Sequence, residues 1–166
     1  MNFSYKVYSA LFLLTAAWCA GIVAAPFLRT LDLSVLSSLL YSIYSHVCHQ
    51  FDSRSFHVGG EPLGVCIRCT AIYGGFVLSL AAYPFLRRQH RSVAPSPWIL
   101  AVFLAPMAAD VFLNLSGLMN STNLSRLLSG ISCGLALPYY LVPPLTEAIH
   151  QIAHSRGGWF HARETR

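Results

Sequence analysis

Apolar residues run through this chain in four long stretches, Tyr8–Leu28, Leu63–Leu86, Trp98–Leu118 and Leu124–Leu145. Each is close to the roughly 20 residues that an α-helix needs to cross about 30 Å of hydrocarbon. Between the first two, Leu33, Leu36, Leu39, Leu40, Ile43 and Val47 recur at helical spacing, and Ser34, Ser37, Ser38, Ser42 and Ser45 fill much of the remainder. That pattern predicts a short amphipathic helix, capped by Asp32, that lies at a membrane surface and is too polar to cross it. Gly59-Gly60 and Pro62 mark the segment Gln50–Pro62 as a turn region before the second span. The expected fold is all-α: a four-transmembrane-helix bundle with an amphipathic interfacial helix between the first and second spans. It makes a single integral membrane domain over residues 1–166.

Composition strengthens this reading. The chain is 55% hydrophobic and 10% charged, whereas soluble domains are about a quarter charged. A soluble domain of this size exposes too much of its area to hide that much apolar surface. The first stretch, with Lys6 ahead of it, has some features of a cleaved signal. Its apolar run is long, however, and Pro26 follows Ala24-Ala25 where a cleavage site wants a small residue. Trp18 is equally unsuited to precede Cys19 in a lipoprotein signal. The stretch is therefore expected to remain as a span.

The net charge of +5 does not point to nucleic acid, because the basic residues sit between and after the apolar stretches rather than on one soluble face. Arginine and lysine are retained on the cytoplasmic side. Lys6, the loop arginines Arg87, Arg88 and Arg91, and the tail arginines Arg156, Arg163 and Arg166 are expected inside. Arg29, Arg54, Arg68 and Arg126 fall to the outer side. Both termini are then cytoplasmic, and the segment from Arg29 to Pro62 faces outward with the Met119–Asn123 turn. In the tail, His150 and His154 have the spacing of one helix face, but two ligands on a terminus make a weak metal site, and the tail reads as solvated.

The chemistry concentrates in Cys48-His49-Gln50, Asp52-Ser53-Arg54-Ser55-Phe56-His57 and Cys66-Ile67-Arg68-Cys69. Two cysteines separated by two residues can turn both sulfurs to one ion, and zinc takes four N or S ligands tetrahedrally. Cys48 offers a third sulfur and His49 a neighbouring imidazole. Adjacent helical residues diverge by about 100°, so His57 and His46 remain alternatives to His49 as the fourth ligand. Zinc is the expected cofactor, with other transition metals open. Redox-active thiols and a structural disulfide are competing readings of the same cysteines. Cys19 and Cys133 lie within apolar stretches and read as packing residues.

Asp110 lies inside the third span, where a carboxylate is costly unless paired or facing a polar cavity. Its expected depth matches that of Arg68 and Arg126, so these groups are expected to converge near the cysteines. A structural ion pair is one reading. The other is a pocket in which Arg54, Arg68 and Arg126 hold an anion such as a phosphate or carboxylate. Asn114 and Ser116 would add hydrogen bonds if they share the face of Asp110.

These residues resemble a family of small prokaryotic polytopic membrane proteins of unknown function. The shared pattern is Cys-His-Gln, Arg-Ser-Phe and Cys-x-Arg-Cys-Thr-x-x-Tyr-x-Gly, with a Pro-x-x-x-Asp step (Pro106, Asp110) and an Asn-x-x-Arg-x-x-x-Gly stretch (Asn123, Arg126, Gly130). It runs from about Tyr41 to Gly134. The chain departs from it at Val111 and Ala71, where the family often carries glycine. The resemblance implies a shared polytopic fold, a shared site and a prokaryotic cytoplasmic membrane, and it brings no activity.

Two functions follow as expectations. The first is a metal site at the outer face, structural or catalytic. In the catalytic version it acts on a lipid or isoprenoid held by the arginines, with Asp110 as general base or as a group that orients a ligand. The second is a membrane thiol–disulfide oxidoreductase using Cys66 and Cys69. Four spans with an outward C-x-x-C are similar in layout to quinone-linked disulfide-generating enzymes, and Arg68 would stabilise a thiolate. Those enzymes relay electrons through a second cysteine pair, whereas here only Cys48 is at hand. Transport or haem carriage has less support: one intramembrane acid makes a poor pore, and no histidine lies in the middle of a span.

Overall fold

The computed structural model describes residues 3–86 and 95–161, with side chains over 6–85 and 95–152. Within them the chain forms five α-helices in the order α1 (Phe3–Thr30), α2 (Ser34–Ser45), α3 (Ile67–Leu86), α4 (Pro97–Leu115) and α5 (Asn123–His161). A 3-10 turn, Asp52–Arg54, and a two-stranded hairpin, β1 (His57–Val58) and β2 (Glu61–Pro62), lie between α2 and α3. The loop arginines Arg87, Arg88 and Arg91, the tail arginines Arg163 and Arg166, and the side chains of His154, Arg156 and His161 lie outside the described residues.

Three helical segments are long and apolar enough to cross a membrane: Lys6–Thr30, Pro97–Leu115 and Asn123–Ile152. The sequence predicts a fourth at Leu63–Leu86, and there the structure differs. The helix starts only at Ile67, because Leu63 and Val65 are buried under the α1–α2 junction in non-helical backbone. What remains is a 20-residue helix with Arg68 in its first turn.

Hydrogen bonds give the helices' relative directions. Tyr8 Oη donates to the Leu80 carbonyl at one end of α1, and Gly64 N–H donates to the Ile22 carbonyl near the other, so α1 and α3 run antiparallel. Ser132 Oγ donates to the Phe103 carbonyl (2.8 Å) and Tyr140 Oη to that of Ser96 (2.8 Å), so α4 is antiparallel to α5. Helices α3 and α5 run parallel and nearly touch. A Cβ on Gly130 would lie 2.7 Å from the Arg68 carbonyl oxygen, and one on Gly134 would strike the Ile72 carbonyl. This is small-residue packing, in which a Gly-x-x-x-Gly step lets two backbones meet.

Pro84 in α3 and Pro26 in α1 each remove an N–H donor from their helix, and a neighbouring segment supplies the replacement. Pro84 leaves the Leu80 carbonyl without its helical donor, and Tyr8 fills it. Pro26 does the same to the Ile22 carbonyl, which takes the Gly64 N–H at 3.1 Å.

Asp32 does not cap α2 as the sequence predicts. Its φ of 59° puts it in the left-handed region. There Asp32 N–H reaches the Arg29 carbonyl and Leu33 N–H that of Leu28, a Schellman closure of α1. The N-cap position of α2 is Leu33, without a side-chain bond. Helix α2 buries Ser37 and Tyr44 against α1, with Ser37 Oγ donating to the Ala25 carbonyl (2.8 Å). Its apolar residues Leu36, Leu39 and Ile43 stay exposed. That inverted amphipathicity suits a helix whose outer face meets lipid.

Candidate functional site

The cysteine-bearing loop is assembled by local backbone chemistry. Gly59 and Gly60 both have positive φ (61° and 86°), as a two-residue hairpin turn between Val58 and Glu61 demands. Arg29 at the end of α1 meets Glu61 at 3.5 Å, and Tyr41 Oη donates to the Pro62 carbonyl, which tie the hairpin to α1 and α2. Gln50 has a φ of 51°, and its side-chain amide donates to the Tyr41 carbonyl (2.9 Å) and the Gly64 carbonyl (2.7 Å). One side chain thereby clamps the end of α2 to the approach of α3. The sequence displays Gln50 beside Cys-His but gives no sign of this role, since its acceptors lie 9 and 14 residues away.

The clamp brings three thiols together. The Sγ atoms of Cys48, Cys66 and Cys69 all lie within 4.8 Å of one another. All three are free thiols, as are Cys19 and Cys133. Cys48 is buried in a cluster with Ile22, Tyr44, Leu63 and Val65, against which Trp18 and Tyr73 also pack. Its sulfur accepts the N–H groups of Cys66 (3.3 Å) and Gln50 (3.5 Å). Cys66 stands one residue ahead of α3. Its thiol is held well below the usual range, chiefly by the hydrogen bond from the Cys69 thiol, against the opposing effect of burial.

Thiolates on a tetrahedral zinc ion sit about 3.8 Å apart, given bonds of about 2.3 Å. The observed spacing is therefore one that a small contraction would fit. The histidines are elsewhere. His49 is exposed and stacks on Phe51 (centroids 5.8 Å apart, 3° between planes). His57 pairs with Asp52 at 3.0 Å, and His46 Nδ1 bonds the Ser42 carbonyl at 2.8 Å. Among the described residues the group of candidate donors is the three cysteines alone.

Beside the thiols the charged residues converge. Arg68 forms a hydrogen-bonded ion pair with Asp110, the side chains being 22% and 11% exposed. Ser121 and Ser125, from the turn and first helical turn after α4, lie against the Asp110 carboxylate. Asn114 instead accepts the Ser121 N–H (3.3 Å), and Ser116 bonds back to the Leu113 carbonyl. Arg126 stands within electrostatic reach of Arg54, Arg68, Asp110 and Cys66. Close packing explains how: Gly130 rests on the Arg68 carbonyl, and Arg126 is one turn earlier on the same face of α5. Arg54 is exposed, its guanidinium 5.1 Å from the Phe51 ring centroid.

A family described as "Predicted membrane protein (DUF2085)" matches residues 48–140, which contain Cys48, Cys66, Cys69, Arg54, Arg68, Asp110 and Arg126. An uncharacterised protein of Methanocaldococcus jannaschii is 36% identical over 116 residues, covering 70% of this chain and 74% of the relative. An uncharacterised protein of Methanothermobacter thermautotrophicus is 34% identical over 96 residues, covering 57% of this chain and 83% of the relative. No solved structure matches.

Proposed function

This chain belongs to the DUF2085 family of predicted membrane proteins, and from that premise we propose that it spans the cytoplasmic membrane four times and holds a metal ion at its outer rim. The observation that carries the metal reading is the convergence of Cys48, Cys66 and Cys69 Sγ atoms within 4.8 Å, with amide N–H groups already directed at Cys48. Three thiolates suit a zinc-like ion and leave one position for water or a substrate, the arrangement of Lewis-acid sites rather than closed structural ones.

Purified protein should carry about one metal ion per chain by elemental analysis. Cys66→Ser and Cys69→Ser should each lose most of it, and Cys133→Ser, in α5, should lose none. Metal-free protein with Cys66 and Cys69 joined would instead support the thiol–disulfide oxidoreductase.

The four-span reading is supported by α3 itself. Twenty residues cover about 30 Å, and α3 lies antiparallel to α1 and parallel to α5, the alternation that four crossings require. The site gathers where α1 and α4 end and α3 and α5 begin, the side opposite Lys6. The basic loop and tail favour that opposite side as cytoplasmic. A reporter fused after Arg166 should read as cytoplasmic and one inserted near Gly59 as external. The same side for both would refute four spans.

A further inference from the structure

We infer that Arg126, Arg68 and Arg54 form a binding site for a phosphate group, carried either by a membrane lipid or by a small soluble molecule. The first argument is charge. Arg126 lies within reach of two other guanidiniums and a single carboxylate, and that carboxylate is already committed to Arg68. Among the three arginines and Asp110, two positive charges stand uncompensated. With three thiolates around a divalent ion, one still does. An excess of one sign at the mouth of an apolar bundle favours an anion on either count, so the inference does not depend on the metal.

The second argument is unused donors. Arg68 Nε is buried with no hydrogen-bond partner, although the same guanidinium binds Asp110. The Arg126 guanidinium makes no ion pair among the described residues. A buried donor left unmade carries a penalty that a ligand would relieve. Arg54 is exposed, leans on Phe51 and lies within electrostatic reach of Arg126.

The third argument is shape. The guanidiniums come from three separate segments, the 3-10 turn, α3 and α5, and those of Arg54 and Arg68 lie within electrostatic reach of Arg126. A tetrahedral oxyanion offers acceptor oxygens to all of them, whereas a planar carboxylate offers two. Leu124 and Leu128, on either side of Arg126, and Phe112 on α4 are exposed apolar residues along which an acyl chain would run.

The test titrates detergent-purified protein calorimetrically with dihexanoyl phosphatidic acid, inorganic phosphate and dihexanoyl phosphatidylcholine. Binding of phosphatidic acid alone assigns the lipid, and binding of inorganic phosphate as well assigns the group itself. Arg126→Gln should weaken binding about tenfold or more, as loss of charge-assisted bonds implies. Arg54→Gln, at an exposed position that cannot disturb the fold, should weaken it several-fold by the same chemistry. Arg29→Gln, which touches only the hairpin, should bind as the parent does. Chelator-treated protein should bind equally well. The inference is overturned if neither phosphate probe binds, if Arg126→Gln and Arg54→Gln both match the parent, or if binding disappears with the metal.

Discussion

Asp110→Ala should cost about 3–5 kcal/mol of folding stability, the penalty for leaving one member of a buried ion pair alone. The carboxylate is only 11% exposed and is held by Arg68, whose Nε already lacks an acceptor. Removing it leaves a full guanidinium charge against apolar helices with nothing to balance it. Against the 5–15 kcal/mol that holds typical domains together, most of the extracted protein should lose its sharp melting transition. Replacing both partners, as Arg68→Leu with Asp110→Leu, removes the stranded charge and should restore much of that stability. Glu147→Ala, at an exposed position on α5, should melt like the parent. A melting curve for Asp110→Ala that overlays that of Glu147→Ala would remove Asp110 from the core of the site, and with it the case for Asp110 as a catalytic base.

The second large effect is expected at Gly134. A Cβ there runs into the Ile72 carbonyl of α3, which is backbone and has no rotamer to escape through. Gly134→Val should therefore force α3 and α5 apart at about 3 kcal/mol or more, the upper range for overpacking. It should also uncouple Arg126 from Arg68, because the same contact line sets their separation. Gly74 provides the comparison, since a Cβ there meets nothing within 4 Å. Gly74→Ala in the interior of α3 should be neutral or slightly stabilising. Thermal melts of the two variants in one detergent decide the matter. If Gly134→Val is tolerated as well as Gly74→Ala, the close approach of α3 and α5 is not what aligns the arginines.

Much of the site could be read in the sequence for a simple reason: charges inside apolar runs have few ways to be satisfied. Asp110, Arg68 and Arg126 had to find one another or an aqueous cavity; Asp110 and Arg68 pair, and Arg126 lies within electrostatic reach of both. The three thiols were likewise expected to gather from the C-x-x-C spacing and Cys48. Hydropathy was less informative about helix ends, because it reports what lipid tolerates rather than what the backbone does. Helix α5 continues to His161, well beyond the apolar limit at Leu145, while α3 begins late because Leu63 and Val65 are spent on the core beneath Cys48. Asp32 and Gln50 depended on backbone conformations with positive φ that short-range patterns do not reveal. Adjacency to Cys48 singles out His49, with His57 and His46 as alternatives, but it carries no information on ring direction, and the His49 ring stacks on Phe51.

Pro26 would ordinarily count as a defect in α1. In an unbroken helix the Ile22 carbonyl would be claimed by the N–H four residues on, and the cysteine loop would find no free acceptor on that face. Proline withdraws the local rival, so the Gly64 N–H wins without competition. Gly64 itself admits the contact because any Cβ there would press on Tyr44 and Ile22. Gln50 reads the same glycine's carbonyl on its other side. The position of the thiols is thus registered against the membrane helix through a vacancy in that helix's own bonding, and the fidelity of the site depends on a residue that contributes no donor at all.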